Sequence, residues 1–216
     1  PRRQRDVERS ARRFLGWTAA NGLPTLGLVH SPHVGSPPGR GAPAGPQAAW
    51  LDIVVLLALC AAGAVNLMQP FGWDQSIFTI AARRMHEGAL LYRDVWDVKQ
   101  PGLFGFYLVG GTLFGFSEIG IHLFELVYWL IFSFFAQRAI RPYVTHAWVA
   151  SLAPVLIVGW YYAFAGDWHL TQAEGLVGFP MFFCMWFAAR AGGAERHATR
   201  DLAISGFFGG AALLVK

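Results

Sequence analysis

The sequence predicts an all-α, polytopic membrane protein, and three observations carry that prediction. Of 216 residues, 55% are hydrophobic and only 14% charged, with a mean hydropathy of +0.39, whereas soluble domains carry about 25% charged residues. Five apolar runs approach the roughly 20 residues that a helix needs to cross about 30 Å of hydrocarbon. The remaining charge is gathered into short segments between those runs. The net charge of +4 is equally local, since six Arg fall among the first thirteen residues, and it indicates no nucleic-acid surface.

In chain order, residues 1–47 hold that basic stretch and the aperiodic, Pro/Gly-rich "HSPHVGSPPGRGAPAGPQ". Such a composition buries too little apolar surface to offset its ordering entropy, so the segment is expected to be a disordered cytoplasmic tail. The N-terminal part of a transmembrane domain follows over 48–216. Its spans are expected at about 50–68, 119–137, 144–164, 175–191 and 202–216. A sixth apolar run, "LFGFYLVGGTLFGF" (103–116), has fourteen residues, four of them Gly, and is expected to lie at the interface. If it does not cross, Arg138, Arg141, Arg190, Arg196 and Arg200 share one side and the Lys/Arg-free loop 166–174 the other, as positive-inside topology requires. Cys60 and Cys184 fall inside apolar runs without metal-ligand spacing and read as small buried residues.

The first loop, residues 70–102, departs from that charge rule by holding Arg83, Arg84, Arg93 and Lys99 on the outer side. Its first part, "WDQSIFTIAARRMHEG", predicts an amphipathic helix capped by Asp74 and stopped by Gly88, with Ile77, Phe78, Ala81, Ala82 and Met85 as its apolar face. Such a helix is expected to lie flat at headgroup depth. The stretch "YRDVWDVKQPG" (92–102) comes next. Arg93 and Lys99 there suit a phosphate, and Asp94 and Asp97 suit the task of orienting them. Glu118, His122 and Glu125 fall at i, i+4 and i+7, on one face of the second span. They are expected to line a polar cavity, and two carboxylates with an imidazole could also hold a divalent metal, the one cofactor in view. Glu174 opens the fourth span, with Asp167, Trp168, His169 and Gln172 within two turns of it, so this loop can serve the same cavity.

The run "WDQSIFTIAARRMHEGALLYRDVWDVKQPGLFGFYLVGGTLFGFSEIGIHLFEL" resembles the membrane glycosyltransferases of the GT-C class, family 39-like, near the protein O-mannosyltransferases and lipid A aminoarabinose transferases. The likeness covers residues 50–216 and rests on order and spacing. An acid begins a helix after the first span, and a G-x-x-x-Y-R-D-x-W/F-D-x-K-x-P segment, an F-G-x-S turn and an acid in the second outer loop follow. His122 stands where many relatives carry Arg, and Gln75 where an acid is common. The resemblance implies an inverting enzyme of the cell envelope, taking a sugar from a polyprenyl-phosphate donor to a hydroxyl of a lipid, glycan or protein acceptor. It implies an inner-membrane protein with its active site on the periplasmic face. Asp74 would be the catalytic base, and Lys99 and Arg93, with Tyr92, would meet the donor phosphate. Asp94, Asp97 and Glu174 would be supporting acids, and His122, Glu118, Trp168 and His169 would line the cavity. Relatives are usually at least twice as long, so this chain by itself is expected to be inactive. A transporter or flippase for lipid-linked or anionic substrates would place similar groups in an outer cavity, but no internal repeat of the kind such proteins show is visible.

Overall fold

The structure is a computed structural model and describes residues 46–166, 168–193 and 197–216. The expected tail lies outside these residues except for its last two, which open the first helix. Among the described residues the chain is helical, without strands, and five segments are long and apolar enough to cross a membrane: Ala48–Met68, Glu118–Tyr143, Ala147–Phe164, Ala173–Gly193 and Ala198–Val215. The predicted class and span number therefore hold. Large apolar side chains such as Leu57, Leu156, Met185, Phe207 and Leu213 stand exposed along these segments. A surface of that kind belongs in a bilayer rather than in water.

Helix α1 (Pro46–Val65) ends in a 3₁₀ turn, Asn66–Met68, and leads to the juxtamembrane helix α2 (Trp73–His86). The helix cap differs from expectation. The cap residue is Gly72, and Gln75 reaches back from the third helical position to accept a hydrogen bond from the Gly72 N–H at 2.8 Å. Asp74 is the second helical residue, where a carboxylate still faces the positive helix end but accepts no capping bond. The predicted stop is correct: Gly88 sits at φ +101°, and its N–H bonds the Met85 carbonyl at 3.0 Å.

The expected apolar face of α2 splits in two. Phe78, Ala81 and Ala82 are buried against α3 (Pro101–Phe114), with Phe78 edge-on to Phe104 and Tyr107 at 5.6 Å. Ile77 remains exposed, and with Trp73 and Ile80 it forms a second stripe on the open side. Packing against α3 therefore holds this helix. At 1.5 Å per residue α3 is about 21 Å long, too short to cross. It ends where Gly115 (φ +97°) turns the chain, and Ser117 caps α4 (Glu118–Ile140) by accepting from the Gly120 N–H at 3.2 Å.

After a 3₁₀ turn (Arg141–Tyr143), the third span is broken in its middle. α5 (Ala147–Pro154) gives way to a π-helical segment, Val155–Gly159, and resumes as α6 (Trp160–Phe164). Pro154 withholds a backbone donor inside the helix, the usual cause of such a break. α7 (Ala173–Leu176) and α8 (Gly178–Gly193) run back, and α9 (Ala198–Val215) returns.

Two buried clusters organise the bundle. Val55, Leu59, Leu126, Trp129, Phe132 and Tyr162 knit α1, α4 and α6 within the spans. Phe78, Leu103, Phe104, Tyr107, Ile121 and Leu176 bind α2 and α3 to the ends of α4 and α7. The far end of the bundle is fastened by charge: Arg141 and Ser151 both bond Asp52 at 2.6 Å, and Arg190 and Arg200 pair with the buried Asp201 at 3.2 and 3.1 Å. Arg138, Arg141, Arg190 and Arg200 thus share the end opposite α2, as the loop charges predict. Arg196 lies outside the described residues.

Candidate functional site

At the α2 end a cavity of about 490 Å³ is lined by Asp74, Lys99, Tyr161, Trp168, His169, Gln172, Glu174 and Gly175. Three separate stretches meet there: the start of α2, the loop before α3, and the loop between α6 and α8. Six of the residues singled out from sequence line it, namely Asp74, Lys99, Trp168, His169, Gln172 and Glu174. Asp167 is outside the described residues.

The loop over residues 89–100 is folded around its own carboxylates, and this explains its dense charge. Asp94 accepts from the Leu90 N–H at 2.9 Å and pairs with the exposed Arg93 at 2.7 Å. The Arg93 guanidinium, and after it the Leu90 N–H, hold the Asp94 carboxyl below its ordinary range. Tyr92 takes the left-handed conformation, φ +67°, so that its hydroxyl donates to the Lys99 carbonyl at 2.7 Å. Asp97 accepts from the Lys99 N–H at 2.9 Å. The Tyr92 and Asp97 contacts both end on the backbone that presents Lys99. Tyr92, Arg93, Asp94 and Asp97 do not themselves line the cavity.

Among the described residues Lys99 and Asp74 have no ion-pair partner, whereas Glu174 holds Lys216 at 3.0 Å. Lys99 is half-buried, and Asp74 is exposed to the cavity mouth. An ammonium and a carboxylate that have no ion-pair partner among the described residues, held in one polar recess, can receive a ligand that carries both an anionic group and a proton to lose.

Beneath the recess lies a buried polar layer. Glu125 accepts from the Tyr161 hydroxyl and from the Thr171 N–H, the latter at 2.6 Å. The Tyr107 hydroxyl donates to the Thr171 carbonyl at 3.0 Å, and the Gln75 amide donates to the Leu170 carbonyl. Thr171 is left-handed, φ +54°, and these bonds hold it there. Gln75, an unexpected residue beside Asp74, is therefore the tie between α2 and the second loop.

One sequence expectation is corrected here. Glu118 and His122 do not line the cavity: Glu118 is exposed at the start of α4, and His122 is buried edge-on to Phe71 at 5.6 Å. The spacing that left Glu118, His122 and Glu125 open as a metal set does not gather them in space, and one Glu125 oxygen already accepts from Tyr161 and Thr171. Among the described residues no cluster of three His, Cys, Asp or Glu could hold a metal ion. The cavity residues that sequence reasoning did not assign are Tyr161 and Gly175. Tyr161 lies in "WYYAF", where it reads as an ordinary interfacial aromatic. No family model, curated protein or solved structure matches the chain.

Proposed function

We propose that the chain is the N-terminal part of an integral membrane glycosyltransferase that moves a sugar from a polyprenyl-phosphate donor to a hydroxyl acceptor. The observation that carries this reading is the meeting of Asp74 and Lys99 in one recess with Glu174, although 100 residues separate the first from the last. The recess sits at the bundle end opposite Arg138, Arg141, Arg190 and Arg200, which supports an outer-face site by the positive-inside rule. In a bacterial cell that face would be periplasmic.

In the proposed reaction the Asp74 carboxylate takes the proton of the acceptor hydroxyl. The acceptor oxygen then forms a bond to the anomeric carbon as the bond from that carbon to the phosphate oxygen breaks. The electron pair leaves on the lipid phosphate, where Lys99 offsets the added charge. Attack opposite the leaving phosphate inverts the anomeric centre. Glu174, Gln172 and His169 offer hydrogen-bonding groups to sugar or acceptor. Arg93, joined to Asp94, steadies the loop and adds positive potential above it.

The test feeds radiolabelled polyprenyl-phosphate sugars to membranes containing the full-length protein, in native, Asp74→Asn and Lys99→Ala forms. Transfer that is lost in both variants at equal expression supports the reading, and transfer indifferent to both overturns it.

A further inference from the structure

Between α1 and α4 lies an apolar groove of about 590 Å³ that shares no residue with the polar recess. Ile53, Leu57 and Cys60 line it from α1, and Val127, Ile131 and Phe134 from α4. Both sets fall at i, i+4 and i+7, so each helix gives one face to the wall. Leu57 and Ile131 are 63% and 45% exposed, so the groove opens to the hydrocarbon around the bundle. At about 1.5 Å per residue it runs roughly 10 to 12 Å along the helix axes, from near mid-span to the Arg-rich end. That is close to the depth of one leaflet, about 15 Å of hydrocarbon, and far short of the full crossing that a neighbouring helix makes.

Arg138 stands at the Arg-rich end of the groove, one turn beyond Phe134. Long cationic side chains near a membrane surface usually reach outward to water. The Arg138 guanidinium instead folds back over the Phe134 ring, 3.4 Å from its centroid, and donates to the Phe134 carbonyl at 3.3 Å. Arg141, Arg190 and Arg200 at the same end each pair with an aspartate, whereas Arg138 has no ion-pair partner among the described residues. Asp52, the acid beside Ile53, is already held by Arg141 and Ser151. A guanidinium carries five N–H donors, and the carbonyl takes one of them. A cation folded toward hydrocarbon is costly unless an anion meets it.

We infer that the groove binds an anionic glycerophospholipid, with one acyl chain between α1 and α4 and the headgroup phosphate on Arg138. The planar fork of the guanidinium matches a phosphate with two parallel bonds. Trp50 and Tyr143, each 67% exposed, are interfacial aromatics at this end, so Arg138 lies just inside headgroup level. By the positive-inside rule the end faces the cytoplasmic leaflet, where anionic lipids gather. A zwitterionic lipid brings its own cation beside the phosphate and gains less from Arg138. Seated there, the lipid clamps the first span to the second at the end opposite the recess.

The test places the full-length protein in nanodiscs doped with phosphatidylglycerol that carries a diazirine on one acyl chain, and maps labelled residues by mass spectrometry. A phosphatidylcholine probe with the same chains is run in parallel at equal dose. Phosphatidylglycerol should label Leu57, Cys60, Ile131 or Phe134 about fivefold more than phosphatidylcholine, the effect of one basic residue on an anionic lipid. That preference should vanish in Arg138→Ala and survive in Arg138→Lys, which keeps the charge and so separates a lost headgroup contact from a misfolded chain. Leu57→Trp, a lipid-facing substitution that fills the groove, should lower labelling of Ile131 and Phe134 by both probes. Equal labelling by the two probes in the native protein, or a preference that persists in Arg138→Ala, would overturn the inference. Labelling indifferent to Leu57→Trp would do the same. A Leu57→Cys disulfide between two copies would assign the groove to a second copy of the chain instead of a lipid.

Discussion

The hydroxyl of Tyr161, a residue that lines both the recess and an adjoining apolar cavity, donates to the carboxylate of Glu125, a group buried in the first third of α4. The same carboxylate oxygen accepts from the Thr171 N–H. One side chain of the second span thus fixes a cavity wall and the left-handed turn of the loop above it. Glu125→Ala leaves both donors without their acceptor and should lower stability by roughly 1–3 kcal/mol. Glu125→Gln keeps an acceptor oxygen and should cost less. Thermal unfolding of the purified variants checks the order. Equal loss in both would mean that the charge, and not the acceptor geometry, holds the turn.

Asp74 and Gln75 are neighbours with opposite duties. Asp74 faces the recess, while Gln75 is fully buried and ties Gly72 to Leu170. Asp74→Asn should therefore fold and express normally, since little beyond a helix-dipole contribution of about 0.3–1 kcal/mol is lost. Its transfer rate should fall by about 10² to 10⁴, the range of a general base. Gln75→Leu should instead lower stability and disturb the second loop, which amide exchange over residues 168–172 would report. Near-native transfer by Asp74→Asn would move the base to another acid of the recess, Glu174.

The spans were legible because length and hydropathy alone decide them, and Arg placement correctly grouped their ends. Gly88 and the Gly115–Ser117 turn were legible because backbone conformation demands those residue types. What local pattern could not show was partnership. Asp74 resembles a cap as well as Gly72 does, and only the path of the Gln75 side chain separates them. Glu118, His122 and Glu125 do share a stripe by periodicity, yet the packing of Phe71 and Tyr161 over that stripe removes it from the cavity. Tyr161 was hidden for the converse reason: its hydroxyl meets Glu125 of another span and the Thr171 N–H, a partnership that no apolar count reveals.

Topology has a direct check. Gly166 is exposed in the Lys/Arg-free loop, and a side chain there would meet nothing within 4 Å. Gly166→Cys should react with an impermeant thiol reagent in intact cells, whereas Trp148→Cys, exposed near the opposite end, should react only after membrane rupture. Leu170 of the same loop is fully buried and should resist the reagent from either side. The reverse labelling pattern would place the recess on the cytoplasmic face.

Arg93 and Lys99, two cations of the first loop that sequence reading treated alike, separate in the structure. Lys99 lines the recess without an ion-pair partner among the described residues, while Arg93 lies outside it, paired with Asp94 and two-thirds exposed. A charge-assisted phosphate contact is worth roughly 1.5–3 kcal/mol, so Lys99→Ala should reduce donor use about ten- to hundredfold. Arg93→Ala removes only an exposed, solvent-screened pair and should cost severalfold at most. Its effect should be mimicked by Asp94→Ala, because both loosen the same loop. The pair also sets a pH signature. Asp94 is held below its ordinary pKa in the folded loop, so its contribution is present above that ordinary value, about 3.9, and is lost only as pH falls below it. Amide exchange over residues 90–99 should therefore stay slow down to about pH 4 in the native protein, and should already be fast at neutral pH in Asp94→Ala. Equal losses of donor use in Lys99→Ala and Arg93→Ala, with unchanged exchange, would place both cations on the phosphate and undo the distinction.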